Sequence, residues 1–320
     1  MRETQKRHTS RLIAILAILS MIVAACGDDG GAGDGGGEGR LSGINISVGS
    51  KDFDEQLVLG NILVQAFEAE GANVTDRVDL GGTQVARSAL LSGEIDVYME
   101  YNGTGWAEHL GNEEAPSSDP DELTPAVREQ DLEENEIRWL GRAPFNNTYG
   151  FVSSPDTTEE NGGAFDMQSM ADYLEANPDA SLCLESEFPD RSDGLILFEE
   201  ATGYTVPDGQ IQILDTGPIY TETAEEACDF GEVFTTDGRI GGLGLTLVED
   251  PGVMIIYNIS MNIRDEKYQE APEAFDAIAD EILTGLSQEK MTELNTQVSF
   301  EGEAPDDVAG QYLEDIGFGA

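Results

Sequence analysis

Short apolar runs alternate with longer segments of helical period from residue 44 onward, and that rhythm leaves few folds open to this chain. Residues 44–49 form an apolar strand that ends at Gly49-Ser50-Lys51. Asp54 can cap a helix reaching about residue 70, with Leu57, Leu63, Val64 and Phe67 toward a core. Residues 74–80 alternate as a second strand, Gly81-Gly82-Thr83 opens a helix over 84–92, and 95–100 is a third strand. Strand, helix, strand, helix, strand builds a parallel α/β sheet.

The alternation then starts afresh. Strands are expected near 137–140 and 148–152, helices over 167–177 and 190–202, and strands at 181–185, 211–214, 231–234 and 245–248. Residues 253–259 form a long apolar strand, after which the chain turns helical at 272–283, 287–297 and 305–316. There is no internal repeat. About 277 residues from 44 onward suffice for one large or two medium lobes.

The N-terminus reads as a processing signal. Arg2, Lys6, Arg7 and Arg11 precede an apolar run over 12–25, and Val23-Ala24-Ala25-Cys26 closes it like a bacterial lipobox. The run is about 14 residues, short of the roughly 20 that a spanning helix needs. A short membrane anchor with a chance cysteine is the competing reading. A mature chain lipidated at Cys26 and held outside the cytoplasm is expected. Residues 26–43 are mostly Gly, Asp, Glu and Ala, which suits a flexible tether.

A formal charge of −48, from 16 basic and 64 acidic residues, repels nucleic acid and anionic lipid. Beyond the leader the lysines are Lys51, Lys267 and Lys290. Acid-rich, lysine-poor surfaces suit concentrated salt, where repulsion is screened over a few ångströms. A generally acidic exported protein would look the same. Cys183 lies in a strand-like stretch and Cys228 ends the helix-like 221–228; outside the cell such a pair is bridged or remains as two buried thiols. Neither has the neighbours of a metal site, so no metal and no cofactor is expected.

Five local motifs carry the functional signal. They are Gly49-Ser50-Lys51-Asp52-Phe53-Asp54-Glu55-Gln56, Tyr101-Asn102-Gly103-Thr104, Phe145-Asn146-Asn147-Thr148-Tyr149, Phe234-Thr235-Thr236-Asp237-Gly238-Arg239, and Ile255-Ile256-Tyr257-Asn258. In this order and spacing, from about residue 44 to the C-terminus, the chain resembles the osmoprotectant-binding proteins of ABC importers. That family captures glycine betaine, proline betaine, choline or carnitine in a box of aromatic rings. A quaternary ammonium has no N–H to donate, so ring faces rather than hydrogen bonds must hold it.

The resemblance implies a two-lobed class II periplasmic-binding-protein fold with two crossing strands as hinge. Lobe one would be 44–147 plus 254–320 and lobe two 148–253, with hinges near Asn147-Thr148 and Met254-Ile255. It implies an aromatic cage of Tyr101, Tyr149, Phe234 and Tyr257. Tyr101 follows a strand's C-terminal end, where open α/β sheets bind ligands. Each ring taken singly also reads as an ordinary core residue. Phe234 stands where the family more often has tyrosine, so one hydroxyl is missing. Lys51, Arg191 and Thr104 are carried over as partners of the ligand's carboxylate; surface ion pairing is the plainer reading of both cations. Gln56 and Asn147 are further cleft candidates, and Asp237 fixes its own turn.

The implied function is the binding subunit of an importer, a monomer working with a membrane permease and a separate ATPase. A sensory or chemotactic lipoprotein on the same fold is the alternative. An enzyme fits poorly: the chain has no phosphate loop, no His-Glu-x-x-His and no Gly-x-Ser-x-Gly. His109, the one histidine beyond the leader, sits in an acidic stretch unsuited to a triad.

Overall fold

A computed structural model describes residues 39–112, 117 and 119–319. The leader, Cys26 and most of the expected tether therefore lie outside the described residues. The packed chain starts before residue 44. Leu41 is fully buried in the core of the first lobe, and Arg40 bonds Glu70 and Glu281. One aliphatic side chain and one guanidinium suffice to dock this segment.

The first sheet is built from β1 (Asn45–Gly49), β2 (Asn73–Arg77), β3 (Val97–Tyr101), β4 (Ile137–Leu140) and a late strand described below. Between them run α1 (Asp54–Ala69), α2 (Thr83–Ser92), the short α3 (Asn102–Thr104) with a π-helical turn over Gly105–His109, and α4 (Pro120–Asn135). Val58, Leu59, Ile62, Leu63, Ala66 and Phe67 of α1 are buried at the spacing of one helical face. Asp54 is the first helical residue rather than the cap; Phe53 takes the cap position with no side-chain bond, and its ring turns elsewhere. β1, β2 and β3 are parallel.

The second lobe holds β5 (Tyr149–Ser153), α5 (Pro155–Asn161), α6 (Met167–Ala176), β6 (Leu182–Leu184), α7 (Leu195–Thr202), β7 (Ile211–Ile213), α8 (Thr216–Ala224), β8 (Phe230–Phe234), α9 (Arg239–Gly242) and β9 (Thr246–Leu247). Its strand order is β7-β6-β8-β5-β9. β6, β7 and β8 are parallel, whereas β5 runs antiparallel to β8 with Tyr149 opposite Phe234. The helix expected over 190–202 starts only at Leu195, because a 3₁₀ turn at Phe188–Asp190 and the bend after Arg191 come first. α8 likewise starts and ends earlier than expected, leaving Cys228 in the loop after it. Cys183 and Cys228 are joined as a disulfide, with Cα atoms 5.9 Å apart.

The chain then returns to the first lobe as β10 (Ile259–Arg264), which completes the order β2-β1-β3-β10-β4 and lies antiparallel to β3 and β4. The long strand expected over 253–259 is not a ladder strand. Only Ile259 joins a ladder; 253–258 is a crossing outside both sheets, held by backbone bonds from the Asn147 amide to the Tyr257 carbonyl and from the Asn102 amide to the Asn258 carbonyl, and by side chains. Thr148 Oγ1 donates to the Ile255 carbonyl at 2.7 Å, and the Tyr257 amide donates to Asn146 Oδ1 at 2.6 Å. α10 (Asp265–Tyr268), α11 (Pro272–Gly285), α12 (Gln288–Ser299) and α13 (Pro305–Asp315) close the fold. Phe275, Ile282, Met291 and Tyr312 from these helices share one core with α1 and β10. This is an α/β fold of two lobes joined by two crossings. Among the described residues no helix is long and apolar enough to cross a membrane.

Candidate functional site

The parallel strands of both lobes end at a common cleft of about 600 Å³, a volume typical of small-molecule sites. Lys51 follows β1, Tyr101 ends β3 and Phe234 ends β8. Sheet register assembles the rings. Tyr149 and Phe234, opposite one another across the β5–β8 pair, have centroids 5.3 Å apart. Ile259 is opposite Tyr101, so Tyr257 overshoots the end of β3 and lies 6.3 Å from the Tyr101 ring. Gly103 permits this approach: a Cβ there would sit 2.6 Å from the Ile256 carbonyl oxygen.

Tyr149 and Tyr257 are 5.4 Å apart, edge to face. Phe53 closes the circuit, 4.8 Å from Phe234 and 6.3 Å from Tyr101. The result is a closed round of five rings drawn from both lobes and the crossings, all lining the cleft. Phe53 stacks on both neighbours, at 23° to Phe234 and 18° to Tyr101, whereas the Tyr149–Phe234 contact is tilted and the two Tyr257 contacts are edge to face. Burial raises the Tyr101, Tyr149 and Tyr257 phenols well above their ordinary range, so all three are neutral.

The polar candidates divide. Lys51, Thr104 and Asn147 line the cleft. Lys51, only 3 % exposed, pairs with Glu100 at 2.7 Å and lies 5.2 Å from the Tyr101 ring centre. Gln56 lies behind the wall, its Oε1 accepting from the Lys51 amide at 3.4 Å. Arg191 is not on the wall. It binds Asp193 with two nitrogens at 2.6 and 2.7 Å, reaches Thr83 across the lobes at 3.2 Å, and lies 5.5 Å from the Tyr149 ring centre. Asp193 in turn accepts from the Tyr257 hydroxyl at 2.7 Å. His109 faces Glu100 and Tyr98.

Phe53, Glu55, Thr236 and Asn295 line the cleft without a local pattern that assigns them there. Phe53 and Glu55 lay inside a motif already noticed, but a Phe at a helix start and a Glu in its first turn look ordinary. Asn295, in the middle of α12, has no local signal at all. Glu55 is 3 % exposed and is held by Tyr101, Asn147, Thr236 and Asn295. The lobes are in direct contact. Besides Thr236 on Glu55, Ser192 Oγ donates to Glu108 at 2.9 Å, and Arg239 lies 3.4 Å from Asp54. Among the described residues no group of His, Cys, Asp and Glu is placed to hold a metal ion.

The family model for the substrate-binding domain of the ABC-type glycine betaine transport system, OpuAC, matches residues 44–315. The chain belongs to that family. Among OpuAC relatives, the glycine betaine-binding protein YehZ of Escherichia coli is 31 % identical over 282 residues, covering 85 % of this chain and 91 % of YehZ. The glycine-betaine-binding protein of Pseudomonas aeruginosa is 31 % identical over 278 residues, covering 84 % and 87 %. The structure of apo YehZ matches with a TM-score of 0.62 at 30 % identity, covering 86 % of this chain and 99 % of that one. The family is one of substrate-binding domains of transport systems.

Proposed function

We propose that the cleft captures a quaternary-ammonium compatible solute, glycine betaine or a close relative, and presents it to an ABC permease. The five-ring round carries this reading. Rings from both lobes meet in one cluster, so a cage built from them exists only when the lobes are closed, and closure becomes the capture step. The moving bodies are 44–147 with 254–320 and 148–253, turning about the crossings near Asn147-Thr148 and Met254-Ile255. Lys51, whose ammonium lines the cleft and keeps donors beyond the one given to Glu100, and Thr104 are the proposed partners of the ligand's acid. Arg191 acts at one remove, holding Asp193 and through it the Tyr257 hydroxyl. A lipid on Cys26 tethers the monomer to the membrane surface.

Calorimetric titration with glycine betaine, proline betaine, carnitine, choline and unmethylated glycine tests the reading. The methylated ligands should bind more tightly than glycine, since ring faces offer glycine's N–H donors no acceptor, a loss of about 1–3 kcal/mol. Replacing Phe53, Tyr101, Tyr149, Phe234 or Tyr257 by Ala should each cost about 0.5–2 kcal/mol of affinity. Phe234→Tyr should keep it, because the ring face is retained. Glycine binding as tightly as its trimethylated form, or normal affinity in most of the alanine variants, would sink the cage.

A further inference from the structure

Glu55, Asn147 and Thr236 form a closed ring of three short contacts. Glu55 Oε1 lies 2.8 Å from the Asn147 amide nitrogen, Asn147 Oδ1 lies 2.7 Å from Thr236 Oγ1, and Thr236 Oγ1 lies 2.8 Å from Glu55 Oε2. Three contacts at hydrogen-bond distance need three hydrogens. The amide points its NH₂ at one neighbour and its oxygen at the other, so it fills one contact. Thr236 has a single hydroxyl hydrogen and fills a second. Flipping the amide moves the unfilled contact but does not fill it. With Glu55 ionised, two oxygen acceptors would face each other at 2.7–2.8 Å in a buried site.

We propose that Glu55 latches the closed cleft as the neutral carboxylic acid, taking up one proton from solvent as Thr236 of the second lobe docks on it. The O–H formed on Glu55 fills the third contact and breaks again when the lobes part. The ring ties together α1, the first crossing and the loop after β8, so it can be complete only in the closed form. Tyr101 and Asn295 donate to the same carboxyl at 2.7 Å each and fix its plane.

Burial raises the Glu55 acid above the ordinary carboxylate range, against the pull of these four neighbours. The charged groups around it are matched to one another rather than to Glu55. On the β1 side Lys51 is taken by Glu100 of β3, and beyond the loop after β8 Arg239 bridges Asp237 and Asp54. On the far side of the cage Arg191 holds Asp193, and α12 contributes the uncharged Asn295.

The inference rests on the cleft binding a quaternary ammonium, and glycine betaine is the probe. Titrating the full chain in buffers of different ionisation heat counts the protons exchanged. Near neutral pH, binding should take up close to one proton, and affinity should fall with rising pH by up to about tenfold per unit. Glu55→Gln should bind without proton exchange and with a flat pH profile. Tight binding by the unaltered protein with no proton uptake between about pH 5 and 8 would overturn the latch while leaving the cage intact. Undiminished uptake in Glu55→Gln would also overturn it. Failure of every quaternary ammonium to bind would instead sink the ligand assignment, and the latch with it.

Discussion

Arg191 shows how a single side chain's partners decide its meaning. From its motif it reads as a clamp for the ligand's acid, yet its fork is filled by Asp193 and it is only 5 % exposed. Removing it leaves a buried carboxylate unpaired, a change that costs about 3–5 kcal/mol. Arg191→Ala should therefore lower the melting temperature and weaken betaine and choline alike. A loss confined to betaine would restore the clamp. Glu232 offers a second test. It is buried on β8, and desolvation raises its acid to about 8, although the Glu185 amide donates to it at 2.8 Å. A raised carboxyl favours the fold while protonated: its contribution is complete below the unfolded value near 4.5 and is lost as pH rises through about 8. Melting temperature should fall between about pH 4.5 and 8 and level off above, and Glu232→Gln should flatten the fall. Four of the clustered rings are legible in the sequence because each stands in a family motif. Phe53 and Glu55 are not, because their roles come from register and lobe contact, which local pattern does not encode.

The crossings and the disulfide make the same point about elements. Alternation located the strands other than β10 and the longer helices, since period 2 and period 3.6 are local properties, while the short α3, α5, α9 and α10 left no such signal. The run at 253–259 reads as a strand because apolar composition cannot distinguish a bridge held by Asn146 and Thr148 from the ladder strand β10 that begins at its end. Cys183 on β6 and Cys228 after α8 were legible as a pair by count and compartment, with free thiols left open. Their disulfide spans 45 residues and ties β6 to the loop entering β8. Unreduced peptides should show the crosslink by mass spectrometry. Cys183→Ala with Cys228→Ala should lower stability by about 2–4 kcal/mol; both thiols freely alkylated in native protein would reject the bridge.

A charge of −48 on 320 residues means that the compact form works against its own repulsion. Melting temperature should rise with sodium chloride well into the range where screening acts over a few ångströms, and a flat response would show the acids to be already compensated. The same composition has a practical consequence. All four lysines of the sequence lie outside residues 148–253. Lys51 is buried, whereas Lys267 and Lys290 belong to the first lobe and are partly exposed in ion pairs with Glu270 and Glu293. An amine-reactive fluorophore will thus decorate one jaw of the clamp and leave the other bare. Paired with a cysteine introduced on the second jaw, it offers a distance ruler for watching the jaws meet.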